Sequence, residues 1–382
     1  MKCDKEYVVR IRREMHQHPE VGFDLPYTLA LVKRELDALG IPYTDKYGKS
    51  SLVATVNPDQ KGKVIGVRAD MDALPIKEET GLPFASVNEG KMHACGHDFH
   101  TAMLLGLAKM LVEVKDQLRC QVRLIFQAGE EVAPGGAKLM CDDGAADDID
   151  ELIACHVNGN FPTGVFAINK TCMNASSHGF ILKLFGKTTH AARPQYGVDA
   201  ISMACQVYQS IQNMRAREVN PLTPCVVAIG EIHGGFTNNV MCDEVMMHGT
   251  IRALDPDLDA FLFRRVEEIA DAISREMGGR YTLETTKHYP ALINDHKIAD
   301  RLSAAAEKVV GKEKMAEHPL SMGAEDFAFF MQKKPGARFG LGIHKEGTDM
   351  VPGHNSKFSP DEDAITVAPE IFFQYIMDNQ DQ

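Results

Sequence analysis

Nine consecutive residues, Met92-His93-Ala94-Cys95-Gly96-His97-Asp98-Phe99-His100, carry three histidines, one cysteine and one aspartate. Thiolate and imidazole suit Zn, Co, Ni or Mn far better than Mg or Ca, so Cys95 and His97 read as ligands of a borderline transition metal. Gly96 between them lets the backbone bend so that both side chains face one point. The apolar, helix-period run Thr101–Leu111 follows, which puts the cluster in a loop or first helical turn on a rigid support. Any one of these residues alone reads equally well as a local cap at a helix start. The density of donors is what favours a metal.

Further donors stand in separate segments. Glu130 and Glu131 follow the strand-like run Cys120–Gln127, and His156 follows the buried run Leu152–Cys155. Asp70 and Asp72 follow the run Val64–Arg68, and His354 lies in a late loop, Gly353–Phe358. Asp70/Asp72, Glu130/Glu131 and His156 are thus each expected just past the carboxyl end of a strand, the edge of an open α/β sheet where sites are built. Cys95, His97, Glu131, His156 and His354 make five ligands from four segments. A structural zinc closes at four, so five suit two metals about 3.5–4 Å apart that share a water.

Such a pair would acidify that water and polarise a carbonyl. Of the adjacent carboxylates Glu130 and Glu131, one can ligate while the other serves as general base and then as acid to the leaving amine. A solvated Glu-Glu turn is the rival reading, but Gly129 before the pair and Pro134-Gly135-Gly136 after it mark a specially shaped loop. Asp72, with Asp70, can orient a ligand imidazole from behind or cap the turn before Pro75. His190, in a polar loop, can hold an oxyanion, and Arg252, near a strand end, can clamp a substrate carboxylate. Each of these two alone reads as a surface residue. His16 and His18 stand at the end of a helix, where histidine is favoured without any ligand role.

The elements that must position these groups follow a rhythm. Strands alternate with helices up to about residue 176, which predicts a doubly wound, mostly parallel sheet. From residue 177 the order becomes strand-helix-strand-strand-helix-strand, a ferredoxin-like α+β unit. We therefore expect a first domain over residues 1–176 and 289–382, with an inserted domain over 177–288.

The 382 residues are 44% hydrophobic and 25% charged, enough for a large core. A net charge of −12 argues against a nucleic-acid or anionic-membrane partner and leaves small molecules open. No run is long enough to span a bilayer, and the start, Met1–Tyr7, has no apolar signal core. Nine cysteines lack a disulfide-framework pattern, and Cys120, Cys155, Cys205 and Cys225 read as buried thiols. A reducing cytoplasm is the simplest compartment.

Several stretches together resemble one family. They are Arg68-Ala69-Asp70-Met71-Asp72-Ala73-Leu74-Pro75, His93-Ala94-Cys95-Gly96-His97-Asp98, Gln127-Ala128-Gly129-Glu130-Glu131 and Ala324-Glu325-Asp326-Phe327. With His16–Phe23 and Gly249-Thr250-Ile251-Arg252, they resemble, in order from about residue 8, the two-metal amidohydrolases and metallopeptidases. These include bacterial aminoacylases, hippurate hydrolases and plant auxin-conjugate hydrolases. The resemblance implies a metal pair on Cys95, His97, Glu131, His156 and His354, with Glu130 as acid/base. It implies that the inserted domain is a lid and dimerisation domain, that His190 stabilises the oxyanion, often across the dimer, and that Asn239 and Arg252 face substrate. Thr188, Thr189, Gln195, Cys242 and the segment Val157–Asn160 depart from the family pattern, which bears on substrate choice and not on the metal ligands.

The expected protein is therefore a cytoplasmic homodimeric hydrolase with two divalent ions (Zn, Mn, Co or Ni). It would cleave the amide bond of N-acyl amino acids or related small amides. The rival within this chemistry is a dipeptidase. The rival outside it is a non-catalytic metal-binding protein. A zinc deaminase is disfavoured because no Pro-Cys-x-x-Cys accompanies the histidine cluster.

Overall fold

The computed structural model describes residues 1–381, apart from the side chain of Lys287. Helix α1 (Lys5–Gln17) is capped by Asp4, which accepts from the Tyr7 amide, and buries Val8, Ile11 and Met15 along one face. Helix α2 (Pro26–Ala38) starts on a proline, whose missing N–H costs nothing there. Then come β1 (Tyr43–Thr44), β2 (Leu52–Val56) and β3 (Val64–Asp70). Every residue of β3 is buried, as a central strand covered on both faces requires.

Helix α3 (His97–Glu113) buries all of its first fifteen residues except Lys109, so it runs through the middle of its unit. The chain continues with β4 (Gln121–Gln127), the short α4 (Gly136–Asp142), β5 (Glu151–Pro162), β6 (Phe166–Ile168) and β7 (Cys172–Asn174).

Two units emerge from the contacts. The first holds residues 1–173, 293–320 and 326–382, and the second holds 174–292 and 321–325. The second unit is β8 (Ser177–Phe185), α5 (Ala200–Arg217), β9 (Cys225–Gly234), β10 (Glu244–Ala253), α6 (Pro256–Glu276) and β11 (Arg280–Tyr289). All its strand pairs are antiparallel, in the order β11-β8-β10-β9. That is the ferredoxin-like arrangement the element order predicts. β8 and β10 alternate buried and half-exposed residues, and Phe180, Leu182, Leu184, Val245, Met247 and Ile251 pack with one face of α5 and α6.

The return brings β12 (Leu292–Ile293), α7 (His296–Val310), β13 (Met315–Glu317), α8 (Ala328–Lys333), β14 (Gly336–His344) and α9 (Val367–Asn379). The first unit's sheet has the order β1-β2-β4-β3-β5-β14-β6-β13. Its centre, β4-β3-β5-β14, is parallel, while β1, β2 and the β14–β6 pair are antiparallel. The architecture is the expected α/β sheet with a ferredoxin-like unit. No described helix is long and apolar enough to cross a membrane.

Three details differ from expectation. Residues 321–325 join the second unit, because Asn174 Nδ2 donates to the Gly323 carbonyl (3.2 Å) and Arg252 Nη1 to that of Met322 (2.8 Å). His156 lies inside a strand and not past its end. The apolar run stops at Cys155, but β5 keeps hydrogen-bonding to β14, with His156 opposite Gly340 and Val157 opposite Leu341. Cys205 is exposed and Cys225 only half-buried, whereas Cys120 and Cys155 are buried as expected. Cys205 sits on the outward face of α5 next to Tyr208, a position that hydrophobicity alone does not reveal.

Candidate metal and catalytic site

Asp70 closes β3, and Gly96 caps the start of α3 in the left-handed region at φ +85°. A Cβ there would come within 2.5 Å of Val157 Cγ2, so only glycine lets this turn lie against β5. The turn brings Cys95 Sγ to 3.4 Å from His156 Nε2. His156 Nδ1 lies 2.8 Å from the Val157 carbonyl, which fixes the proton on that nitrogen and leaves a lone pair on Nε2 facing Cys95. Burial, then the neighbouring His100, push the His156 pKa well down, so the ring is neutral, as a ligand must be.

Glu130 and Glu131 sit in the loop after β4. Gly129 has φ +69°, and a Cβ on it would meet the Phe23 ring at 2.3 Å. The loop is held from across the site: Asp72 accepts the Glu130 amide at 3.0 Å and the Glu131 amide at 3.2 Å. Glu131 Oε1 lies 3.1 Å from His354 Nε2. His354 has φ +61°, and its amide donates to the Ala94 carbonyl at 2.8 Å, which ties the late loop to the Cys95 segment. The pairing with Glu131 raises the His354 pKa, against burial.

The donor atoms fall into overlapping groups. Those of Cys95, His97 and His156 lie within 4.8 Å of one another, as do those of Cys95, Glu131 and His354, and those of His97, Glu130 and Glu131. Cys95 belongs to two of these groups and Glu130 stands within the third. Both ring nitrogens of His97 are buried without a hydrogen bond. Nδ1 is 3.5 Å from Asp72 and Nε2 is 3.7 Å from Asp70. A buried imidazole with neither nitrogen satisfied is costly unless something else binds it. Burial raises the Cys95 thiol pKa and carboxylates crowd it, a balance that a divalent cation reverses. The donor set thus fits two transition-metal ions.

The remaining sequence candidates lie in the second unit. His190 is exposed, and its Nδ1 accepts the Ala192 amide at 3.0 Å, which leaves Nε2–H as a donor. The Ala191 amide donates to the Asn239 carbonyl, and His190 bridges to Val240, so the His190 and Asn239 segments are neighbours. Arg252 is half-buried and engages the Met322 carbonyl.

Two residues were missed by the sequence reading. His100 is buried, with Nδ1 2.5 Å from Asp70 Oδ1, and its Nε2 accepts the Val157 amide at 3.0 Å, so it links β3, α3 and β5 beneath the donors. Its spacing of three from His97 places both on one helix face, which was a usable signal. Asp326 accepts from Arg68 (2.7 Å), Gln127 (2.7 and 2.9 Å) and the Ala137 amide (3.0 Å), and so fastens the ends of β3 and β4 to the start of α4.

Residues 66–378 match the model of peptidase family M20/M25/M40. The chain belongs to that family. Members similar to it include thermostable carboxypeptidase 1 of Saccharolobus solfataricus, 34% identical over 94% of this chain and 92% of that protein. N-acetyldiaminopimelate deacetylase of Streptococcus uberis is 37% identical over 95% of this chain and 96% of its own length. Among solved structures, the Bacillus subtilis YXEP protein, described as a dinuclear metal binding peptidase of the M20 family, superposes with a TM-score of 0.86. It shares 30% identity, and the match covers 98% of each chain. Like its relatives, this M20-family chain is a hydrolase.

Proposed function

We propose that this M20-family hydrolase cleaves the amide bond of N-acyl amino acids, with two divalent ions held by Cys95, His97, Glu131, His156 and His354. The observation that carries the reading is the convergence of these donors with Glu130 among them. Deacetylase relatives of similar length support an acyl substrate. When bound, the ions would acidify water and polarise the scissile carbonyl.

The chain's own groups then divide the work. Asp72 fixes the backbone of both glutamates, so Glu130 is held at a set distance from the ligands. Glu130 takes the proton of the attacking water as the new O–C bond forms. It returns that proton to the amide nitrogen as the C–N bond breaks, giving a carboxylic acid and a free amine. His190, with Nε2–H as donor, stabilises the oxyanion, and Asn239 and Arg252 bind the amino-acid portion, Arg252 through the carboxylate. In this reading the inserted domain, expected over residues 177–288, is a lid and a dimerisation domain. The nine free cysteines suit a reducing cytoplasm.

The test is a panel. Protein reconstituted with Mn, Zn, Co or Ni is assayed against N-acyl amino acids and dipeptides. Hydrolysis of at least one N-acyl amino acid is expected with at least one metal. Turnover of dipeptides alone would overturn the acyl assignment, and turnover of neither class with any metal would overturn the reading as a whole.

A further inference from the structure

The second unit contains another group of metal-type donors, which the reaction above does not use. His178 Nδ1 and His288 Nε2 both face one carboxylate oxygen, Asp259 Oδ2, at 3.4 and 3.2 Å. The three donor atoms lie within 4.8 Å of one another. His178 is near the start of β8 and His288 near the end of β11. The two are directly opposed across the antiparallel pair, with ring centroids 4.5 Å apart. Asp259 comes from the first turn of α6 and is buried, and its other oxygen accepts the Ser176 hydroxyl at 2.8 Å.

We propose that His178, Asp259 and His288 bind one divalent transition-metal ion of the zinc class. The spacing is the first argument. Histidine–carboxylate contacts on the buried ring nitrogens elsewhere in the chain run from 2.5 Å for His100–Asp70 and 2.8 Å for His16–Asp98 to 3.2 Å for His16–Glu78. The two contacts to Asp259 Oδ2 lie at the long end of that range and converge on one oxygen. Two ligand atoms, each about 2.0–2.1 Å from a tetrahedral zinc, stand roughly 3.3–3.4 Å apart. The Asp259 contacts have that separation.

The surroundings supply the second argument. His178 Nε2 is 3.2 Å from Thr285 Oγ1, and the ring stacks on Phe263 with centroids 4.0 Å apart. An outer partner of this kind orients a ligand imidazole and turns the lone pair of its other nitrogen toward the metal. His288 has a side chain 47% exposed, which gives an ion a route from solvent. Two imidazoles and one carboxylate suit zinc, manganese or nickel over calcium.

The site has a definite place in the chain. β8 is the first strand of the second unit and β11 its last, so an ion here ties the entering and leaving strands to α6. Binding stabilises whichever arrangement holds the ligands together.

The experiment uses full-length protein with its resident metals retained, titrated with Zn2+ by calorimetry. Wild type is expected to take up one more ion per chain than His288→Ala, or to bind that ion at least tenfold more tightly. His288 is exposed, so the variant should fold, which circular dichroism checks. Crystals soaked in Zn2+ should show an anomalous peak beside Asp259 Oδ2, absent in His288→Ala. Equal stoichiometry and affinity in the two proteins, or peaks only near Cys95, would overturn the proposal while leaving the proposed pair intact.

Discussion

The backbone N–H of Glu130 donates to Asp72 Oδ1 at 3.0 Å, across a sequence separation that joins the end of β3 to the loop after β4. The same carboxylate takes the next amide, Glu131, with its other oxygen. The backbones of both proposed working glutamates therefore depend on one side chain. Asp72→Asn keeps the volume but offers one acceptor oxygen and a donor NH2, so one amide loses its partner. Turnover should fall by about 10–100-fold, the scale for removing a group that orients ligands. Steady-state kinetics with measured metal content checks this, and wild-type turnover in Asp72→Asn would show that the loop holds its shape without it.

Glu130 and Glu131 should separate by assay. Glu130→Gln keeps shape and removes basicity, so metal content and substrate affinity should stay near wild type while turnover drops at least ~10²-fold. Glu131→Gln should lose metal instead. If both are merely solvated turn residues, neither change has much effect.

Removal of metal should abolish activity. Cys95→Ser puts a hard hydroxyl in place of a soft thiolate, and metal occupancy by elemental analysis should fall with it. Full activity in excess chelator, or no bound transition metal after reconstitution, would contradict the dinuclear reading.

His16 makes a pH-dependent contribution to stability. Its ring is buried between Asp98 (2.8 Å) and Glu78 (3.2 Å), and although burial lowers its pKa, the two carboxylates raise it overall. Glu78 is held down at about 2 by His16, Thr80 and the Ser86 amide, against burial. A raised histidine pKa gives stability that is fully present below the unfolded value of about 6.5 and is lost as pH rises through the folded value. A depressed glutamate pKa gives stability present above about 4.3 and lost as pH falls toward its folded value. His16→Gln should therefore be less stable by roughly 1–3 kcal/mol near pH 6. The gap should narrow as pH rises past the folded His16 value. Denaturant unfolding across pH 5–9 measures it, and a pH-independent gap would show that packing alone is lost.

Much of the fold is legible in the chain because its strands are apolar runs of ordinary length with glycine or helix signals between them. The order strand-helix-strand-strand-helix-strand is enough to identify the ferredoxin-like unit. What was hidden depends on long-range partners. Residues 321–325 carry no sign that they hydrogen-bond to Asn174 and Arg252 instead of staying with their chain neighbours. β5 outlasts its apolar run because β14, far away in sequence, continues the ladder, so His156 fell inside a strand. In the site, types and spacing single out the proposed ligand donors, but the amides on Asp72 and the bonds of Asp326 to Arg68, Gln127 and the Ala137 amide join segments far apart in sequence. His16, at a helix end, reads as a dipole partner, and only the structure shows Asp98 and Glu78 around it.

The split of the first unit bears on how the protein is made. β5 ends at Pro162, yet the strand that covers its open side, β14, begins only at Gly336, and His354 comes later still. At the usual translation speed of roughly 5–20 residues per second, the delay is on the order of tens of seconds. Throughout that interval the nascent chain presents an unpaired, apolar edge beside four of the five proposed metal donors. The second unit, nearly continuous in sequence, can finish on the ribosome before its host. Chaperone dependence during synthesis should therefore fall on the first unit.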